Sequence, residues 1–264
     1  MVRRFFIALI ICVSALQVRA QNDFCGIRNS SFGNGEHLYF KVFYNMGRVW
    51  VGAGEATFDV KQEVMDNHAV YHITGDGKTF KSYDWIFKVR DRYETYLDMK
   101  TLLPVRFIRN VNEGGYKIYN NVAFNQEIGK AASTNGTFNV PRCVQDVLSA
   151  IYYARNIDYS KYQPGAKIPF SMFLDDEVYT LYIRYVGKER IETKYGVFNA
   201  IRIVPLLIEG TIFKGGEKMN IWVTDDANHL PVRVDSPILV GSIKVDLMGF
   251  SNLRNSLTSL ISKN

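Results

Sequence analysis

Residues 96–106 read Tyr-Leu-Asp-Met-Lys-Thr-Leu-Leu-Pro-Val-Arg, and residues 223–233 read Val-Thr-Asp-Asp-Ala-Asn-His-Leu-Pro-Val-Arg. Aligned on their prolines, Asp98 falls on Asp225, Leu103 on Leu230, Pro104 on Pro231 and Arg106 on Arg233. An aromatic stretch precedes each copy, with Tyr93 and Tyr96 in one and Trp222 in the other. A glycine and a lysine-bearing run follow each and end on a phenylalanine, Gly115 to Phe124 and Gly241 to Phe250. Proline cannot donate to a β-ladder, so it belongs at a strand's first residue, on an edge or at a bulge. Each unit therefore reads as strand, polar turn, a strand opened by Leu-Pro-Val-Arg, turn, strand.

Outward from these units the chain reads as β almost throughout. Alternating or aromatic stretches predict strands over His37–Tyr44, Glu55–Val60, Tyr71–Thr74, Tyr83–Phe87, Val89–Leu97, Val105–Val111 and Tyr116–Phe124. Gly75-Asp76-Gly77 and Glu113-Gly114-Gly115 read as turns, and Lys130–Asn139 as a loop. In the second half Tyr179–Tyr185, Arg190–Lys194, Val197–Leu207, Glu209–Phe213, Lys218–Thr224, Val232–Val234 and Gly241–Phe250 read as strands. Gly187-Lys188 and Lys214-Gly215-Gly216 read as turns, and Asn252–Asn264 as a frayed helix or tail.

One stretch breaks the pattern. Val144, Val147, Leu148, Ile151 and Tyr152 fall on a helical stripe, with Pro141 at its start and Arg155 at its end. The expected fold is all-β: an antiparallel curved sheet or open barrel in one domain, residues 21–264. It has two similar halves, about 35–130 and 165–250, with one helix, Arg142–Arg155, between them as lid or plug.

The first twenty residues read as a signal peptide. Arg3 and Arg4 precede an apolar run from Phe5 to Leu16, and Val18-Arg19-Ala20 offers small residues for cleavage. The run is short of the roughly 20 residues a membrane span needs, and no later stretch is apolar enough to be a span. Removing the signal leaves 29 basic residues against 26 acidic ones, scattered along the strands. That balance does not suggest a nucleic-acid partner. The expected location is the periplasm or the extracellular space. In an oxidising compartment Cys25 and Cys143, the cysteines beyond the signal, are a candidate disulfide.

Motif searches find no nucleophile elbow, zinc helix or phosphate loop, so no catalytic residue, metal or cofactor is assigned. His68 and His72 share a strand face without a third ligand, and Asp225-Asp226-Ala227-Asn228 lacks the glycine and distal glutamate of a calcium loop. Cys143, at the start of the expected helix, has no adjacent base. The densest polar run is Arg90-Asp91-Arg92-Tyr93-Glu94, with Arg109 and Glu113 on the following strand and hairpin. On a strand Arg90, Arg92 and Glu94 face one way, and Asp91 and Tyr93 the other. Such residues set register through cross-strand ion pairs, or they form the polar floor of a ligand site. Asp91, Glu94 and Asp98 would be the acids of a paired-carboxylate enzyme.

Taken together, several stretches resemble a family of exported bacterial proteins grouped as a domain of unknown function. They are Gly35-Glu36-His37-Leu38-Tyr39-Phe40, Gly54-Glu55-Ala56, Val89 to Thr95, Leu103 to Phe107, Glu113 to Tyr116, Asp146 to Arg155 and Ile221 to Asp226. The resemblance runs through most of residues 34–250 and implies an exported β-rich protein with no established activity. More loosely, the acidic turn followed by Leu-Pro and a new strand is similar to the strand units of LolA-type periplasmic lipoprotein carriers. That likeness implies an open half-barrel with a helical lid around acyl chains. The expected function is a non-catalytic binding or carrier module for a lipid, an acyl chain or an envelope glycan. The alternative is an enzyme acting on envelope polysaccharide through paired carboxylates.

Overall fold

The computed structural model describes residues 25–47, 49–209 and 215–264. The signal peptide expected at 1–20, and most of the strand and turn expected over Glu209–Gly216, lie outside the described residues. Two meanders make one antiparallel sheet. The first runs through β1 (His37–Met46), β2 (Val49–Met65), β3 (His68–Thr79), β4 (Arg90–Asp98), β5 (Pro104–Glu113), β6 (Tyr116–Asn125), β7 (Lys130–Ser133) and β8 (Gly136–Asn139). A helix, α1 (Val147–Ala154), follows. The second meander runs through β9 (Lys167–Leu174), β10 (Glu177–Glu192), β11 (Gly196–Pro205), β12 (Asn220–Thr224), β13 (Pro231–Pro237) and β14 (Ser242–Ser251). Each strand pairs with its sequence neighbour, β1 pairs with β14 at the seam, and a last strand β15 (Leu260–Lys263) pairs with β11. The sheet curves without closing, because β8 and β9 at its two ends do not pair.

The two Leu-Pro-Val-Arg stretches open β5 and β13. Each hairpin shifts register by one residue at the same step, between Tyr96 and Leu97 in one and Trp222 and Val223 in the other. Each places a left-handed residue just before the leucine, Leu102 at φ 56° and His229 at φ 39°. The loops differ by one residue. Asp98 Oδ1 accepts from the backbone N–H groups of Lys100 and Thr101 at 3.0 and 2.9 Å. In the longer second loop that role passes to Asp226, whose Oδ1 accepts from Asn228 N at 3.0 Å. Asp225, the residue aligned with Asp98, pairs instead with Lys188 at 2.8 Å.

The helix lies against one face of the sheet and carries the core there. Ala150, Tyr152 and Tyr153 are buried with Val60, Ile73 and Leu97 of the first meander and Ile168, Ile183 and Ile203 of the second, and Leu148 is buried beside Gly75. It is shorter than the hydrophobic stripe predicts. Gln145 pairs with β9 in parallel, its N–H donating to Ser171 O at 2.8 Å, and Cys143 sits at φ 62°. Asp146 is the N-cap, accepting from Ser149 N at 2.9 Å while Ser149 Oγ accepts from Asp146 N at 2.7 Å. Ile151, expected on the buried stripe, points outward, and Tyr153 takes the buried place. Cys25 and Cys143 are joined by a disulfide, Cα–Cα 5.5 Å, across 118 residues of sequence.

Four local expectations are corrected. Gly75-Asp76-Gly77 lies inside β3, not in a turn. A Cβ on Gly75 would press on the Phe58 ring at 3.1 Å and on Leu148 at 3.4 Å, so the glycine answers to a close approach. Tyr83–Phe87 is a 3₁₀ turn and connection, with Trp85, Ile86 and Phe87 exposed. Lys130–Asn139 forms the β7–β8 hairpin. Gly187 sits at a register shift within β10, where its φ of 146° lets the strand bend rather than end.

Candidate functional site

Strand β4 divides the predicted residues between the two faces of the sheet. Thr95 donates to the N-cap carboxylate Asp146 at 2.6 Å and so faces α1. Alternation sends Asp91 and Tyr93 to that same face and Arg90, Arg92 and Glu94 to the outer one.

On the helix side, Tyr93 lies directly across from Arg109, and Arg109 across from Asn120. Arg109 donates to Asn120 Oδ1 at 3.1 and 2.6 Å and pairs with Asp175 of the β9–β10 turn. Asp91 accepts from Asn112 N at 2.9 Å and shares a hydrogen bond with the buried Glu113. Burial pushes the Asp91 carboxyl up to about 7, against the Asn112 N–H and with the help of the neighbouring Glu113. Burial, and then the charge of Asp91, also raise the Tyr93 hydroxyl. Asp91, Tyr93, Arg109 and Glu113 thus form one half-buried polar patch, in which Asp91 meets Glu113 while Arg109 is held by Asn120 and Asp175.

The outer face presents a groove of about 410 Å³ whose walls include Thr57, Asp76, Lys78, Arg90, Arg92 and Asn110. Thr57, Asp76, Arg92 and Asn110 lie on one cross-strand row through it, and the register carries that row beyond the groove to Tyr39 on β1 and Tyr119 on β6. At about 4.8 Å per strand the row is roughly 24 Å long. Ion pairs hold the charged members in place. Arg92 grips both oxygens of Asp76 at 2.8 and 3.0 Å and reaches Glu94 at 3.1 Å. Arg90 holds Asp84 at 2.7 Å, and Lys78 holds Glu55 at 2.9 Å. The Tyr39 hydroxyl donates to Glu55 at 3.1 Å. Glu94 also receives His72 at 2.8 Å, and the His72 ring stacks on Tyr96 at 4.2 Å. Burial acts to raise the Glu94 carboxyl, but the bonds from His72 and Arg92 outweigh it and hold it below its ordinary value. His68 does not join His72; it lines a second, larger outer groove of about 570 Å³ beside the β2–β3 turn. That groove shares none of the predicted residues of β4.

The three acids weighed for a paired-carboxylate enzyme do not converge. Asp91 faces the helix, Glu94 the outside, and Asp98 caps its turn. Asp91 and Glu113 do meet, but their shared hydrogen bond leaves no room for a glycosidic bond between them, which needs carboxylates about 5–9.5 Å apart.

Sequence reasoning missed one polar centre. Arg155 is buried and makes a two-pronged bond to Glu36, at 2.6 and 2.9 Å, and donates to the carbonyls of Asn228 and Ser31. Its ring neighbours are Phe32 and Tyr152. It ties the N-terminal segment, the helix end and the second repeated loop together. Both partners stand in the stretches that carry the family resemblance, Glu36 after Gly35 and Arg155 after Ala154, and nothing else in the sequence marks them as a pair.

The family model described as "Protein of unknown function (DUF3108)" matches residues 39–248, from β1 to β14. The chain belongs to the DUF3108 family. Among curated proteins no match is found. This DUF3108 chain is similar in fold to a crystallised β-barrel-like protein of the DUF1849 domain from Brucella abortus, with a TM-score of 0.56 at 9% identity, over 85% of this chain and 98% of that one. Two further structures align at 11% identity with TM-scores below 0.5. One, described as a lipoprotein, is from Parabacteroides distasonis (0.37; 85% of this chain, 100% of that one). The other, described as an exported protein with a YmcC-like fold, is from Bacteroides fragilis (0.32; 86% and 100%). Among the described residues no helix is long and apolar enough to cross a membrane.

Proposed function

We propose that this chain is an exported, non-catalytic binding module that holds a glycan-like chain on the outer face, along the groove and the cross-strand row that runs through it from β1 to β6. The observation that carries the reading is the row from Tyr39 to Tyr119. Its centre offers the amide of Asn110, the hydroxyl of Thr57 and an Arg92–Asp76 pair, the donor and acceptor types that match vicinal hydroxyls. A tyrosine at each end offers an apolar ring face with a polar tip, which suits a sugar ring. Pre-paired charges fix these groups before any ligand arrives, which lowers the ordering cost of binding. Of the ligand classes considered, the glycan fits better than an acyl chain. The α1 side of the sheet, where an acyl chain would enter, is packed with Leu148, Tyr152 and Tyr153, so the helix acts as a plug. Export, to the periplasm or beyond the cell, rests on the signal-like first twenty residues.

Native mass spectrometry of protein isolated from its own host tests this. A bound oligosaccharide that is lost in the Arg92→Ala variant supports it. A bound lipid retained in that variant, or turnover of envelope glycan abolished by Asp91→Asn, overturns it.

A further inference from the structure

Antiparallel order brings the turns after β1, β3, β5 and β13 to one rim of the open barrel, and contacts tie them together. Phe80 N donates to Ala53 O at 2.9 Å, Gly114 N to Lys88 O at 2.8 Å, and the Tyr44 hydroxyl to Val240 O at 3.1 Å. Large apolar side chains in these turns or at the strand ends beside them are exposed: Val49 and Trp50; Trp85, Ile86 and Phe87; Tyr116; Leu239 and Val240. Trp85 is 82% exposed and Val240 74% exposed. These side chains are held out. Ile86 N donates to Tyr83 O at 2.9 Å and the Trp85 indole to Ser82 O at 3.0 Å, so the connection is bonded in a shape that shows its apolar residues to solvent. An exposed apolar surface spread over four turns of one rim marks a contact surface rather than scattered singletons.

Its charge identifies the partner. Lys81, Lys88 and Lys117 stand exposed among these turns, and the Lys244 ammonium lies 4.6 Å over the Trp50 ring. Asp84, the acid of the β3–β4 connection, is already held by Arg90. The rim therefore combines Trp and Tyr rings, which settle at the headgroup level of a bilayer, with aliphatic tips and lysines. Lysine stems cover apolar surface while their ammonium groups stay with anionic headgroups. A second copy of the chain fits poorly, since a self-complementary contact would set lysine against lysine.

We propose that this rim docks on an anionic phospholipid surface. The proposal rests on different residues from the groove reading, so either can fail alone. Two of the three tryptophans, Trp50 and Trp85, lie on the rim, which makes fluorescence a direct probe. The full exported chain is mixed with vesicles of phosphatidylcholine alone or with a third of phosphatidylglycerol, and with brominated acyl chains for quenching. The expected result is flotation with the anionic vesicles, tryptophan quenching, and weakening by salt. The double variant Trp85→Ser with Phe87→Ser should bind at least tenfold more weakly, as should Lys81→Glu with Lys88→Glu, with thermal unfolding unchanged because these side chains are exposed. Absence of flotation and quenching with every vesicle would overturn the proposal, as would equal binding by the double variant. So would a dimer in sedimentation that the double variant abolishes while vesicles bind neither protein.

Discussion

Arg155 and Glu36 show how one buried pair can hold three segments of chain together. The guanidinium is 2% exposed and its partner 1%, so each relies on the other for the solvation that water no longer supplies. Removing one member leaves the other charged and unpaired, and Glu36→Ala should lower the unfolding free energy by roughly 3–5 kcal/mol in urea titration. A loss under 1 kcal/mol would mean water reaches the site. Asp91 makes a different residue-scale prediction. Its folded pKa of about 7 lies above the ordinary 3.8, so the folded state holds the proton more tightly than the unfolded chain. Its contribution to stability is full below the unfolded value and is lost as pH rises towards and through about 7. Stability measured from pH 4 to 8 should fall along that course in the wild type and flatten in Asp91→Asn; parallel curves would contradict the assignment. These residues differ in legibility. Alternation along Arg90–Glu94 divided the run between two faces correctly, because a strand's period of two is local. The pairing of Arg155 with Glu36 was illegible, because the partners stand 119 residues apart and meet only through the fold.

At the scale of elements, the helix is the piece that covers one face of the sheet. Leu148 is buried beside Gly75 and Phe58. Leu148→Ala should cost about 2–5 kcal/mol in denaturant unfolding, as cavity-forming changes in a packed core do. A shift below half a kcal/mol would mean the helix is a mobile lid, and an acyl-binding cup would return as a reading. The helical period was legible; its start was not. The stripe begins at Val144 with Pro141 before it, but Gln145 finds backbone partners on β9 and Cys143 is tied to Cys25, and these tertiary bonds win over local preference. The same competition explains β3. Gly75-Asp76-Gly77 has turn composition, yet all three residues pair with β2 and Gly75 makes room for the Phe58 ring.

At the scale of the molecule, the two Leu-Pro-Val-Arg stretches open β5 and β13, and the seam between β1 and β14 joins the two meanders into one sheet. The antiparallel curved sheet was legible because strand alternation and turn residues recur along the chain, whereas the β1–β14 seam joins strands about 200 residues apart and was not. The groove was not, since its row draws one residue from each of six strands and depends on register. The bridge from Cys25 to Cys143 fastens the N-terminal segment to the start of the plug; a loop of that length is worth roughly 4–5 kcal/mol in the chain-entropy account. The helix is packed on one face of the sheet and the polar row lies on the other, so the proposed ligand site is on the outer face. The most direct test is a backbone NMR titration of the ¹⁵N-labelled protein with oligosaccharides released from its host's envelope. The account predicts shifts concentrated at Thr57, Asp76, Arg92, Asn110 and Tyr119, with no new sugar signals from cleavage. Shifts confined to the α1 side around Tyr93 and Arg109, or the growth of product resonances, would contradict it.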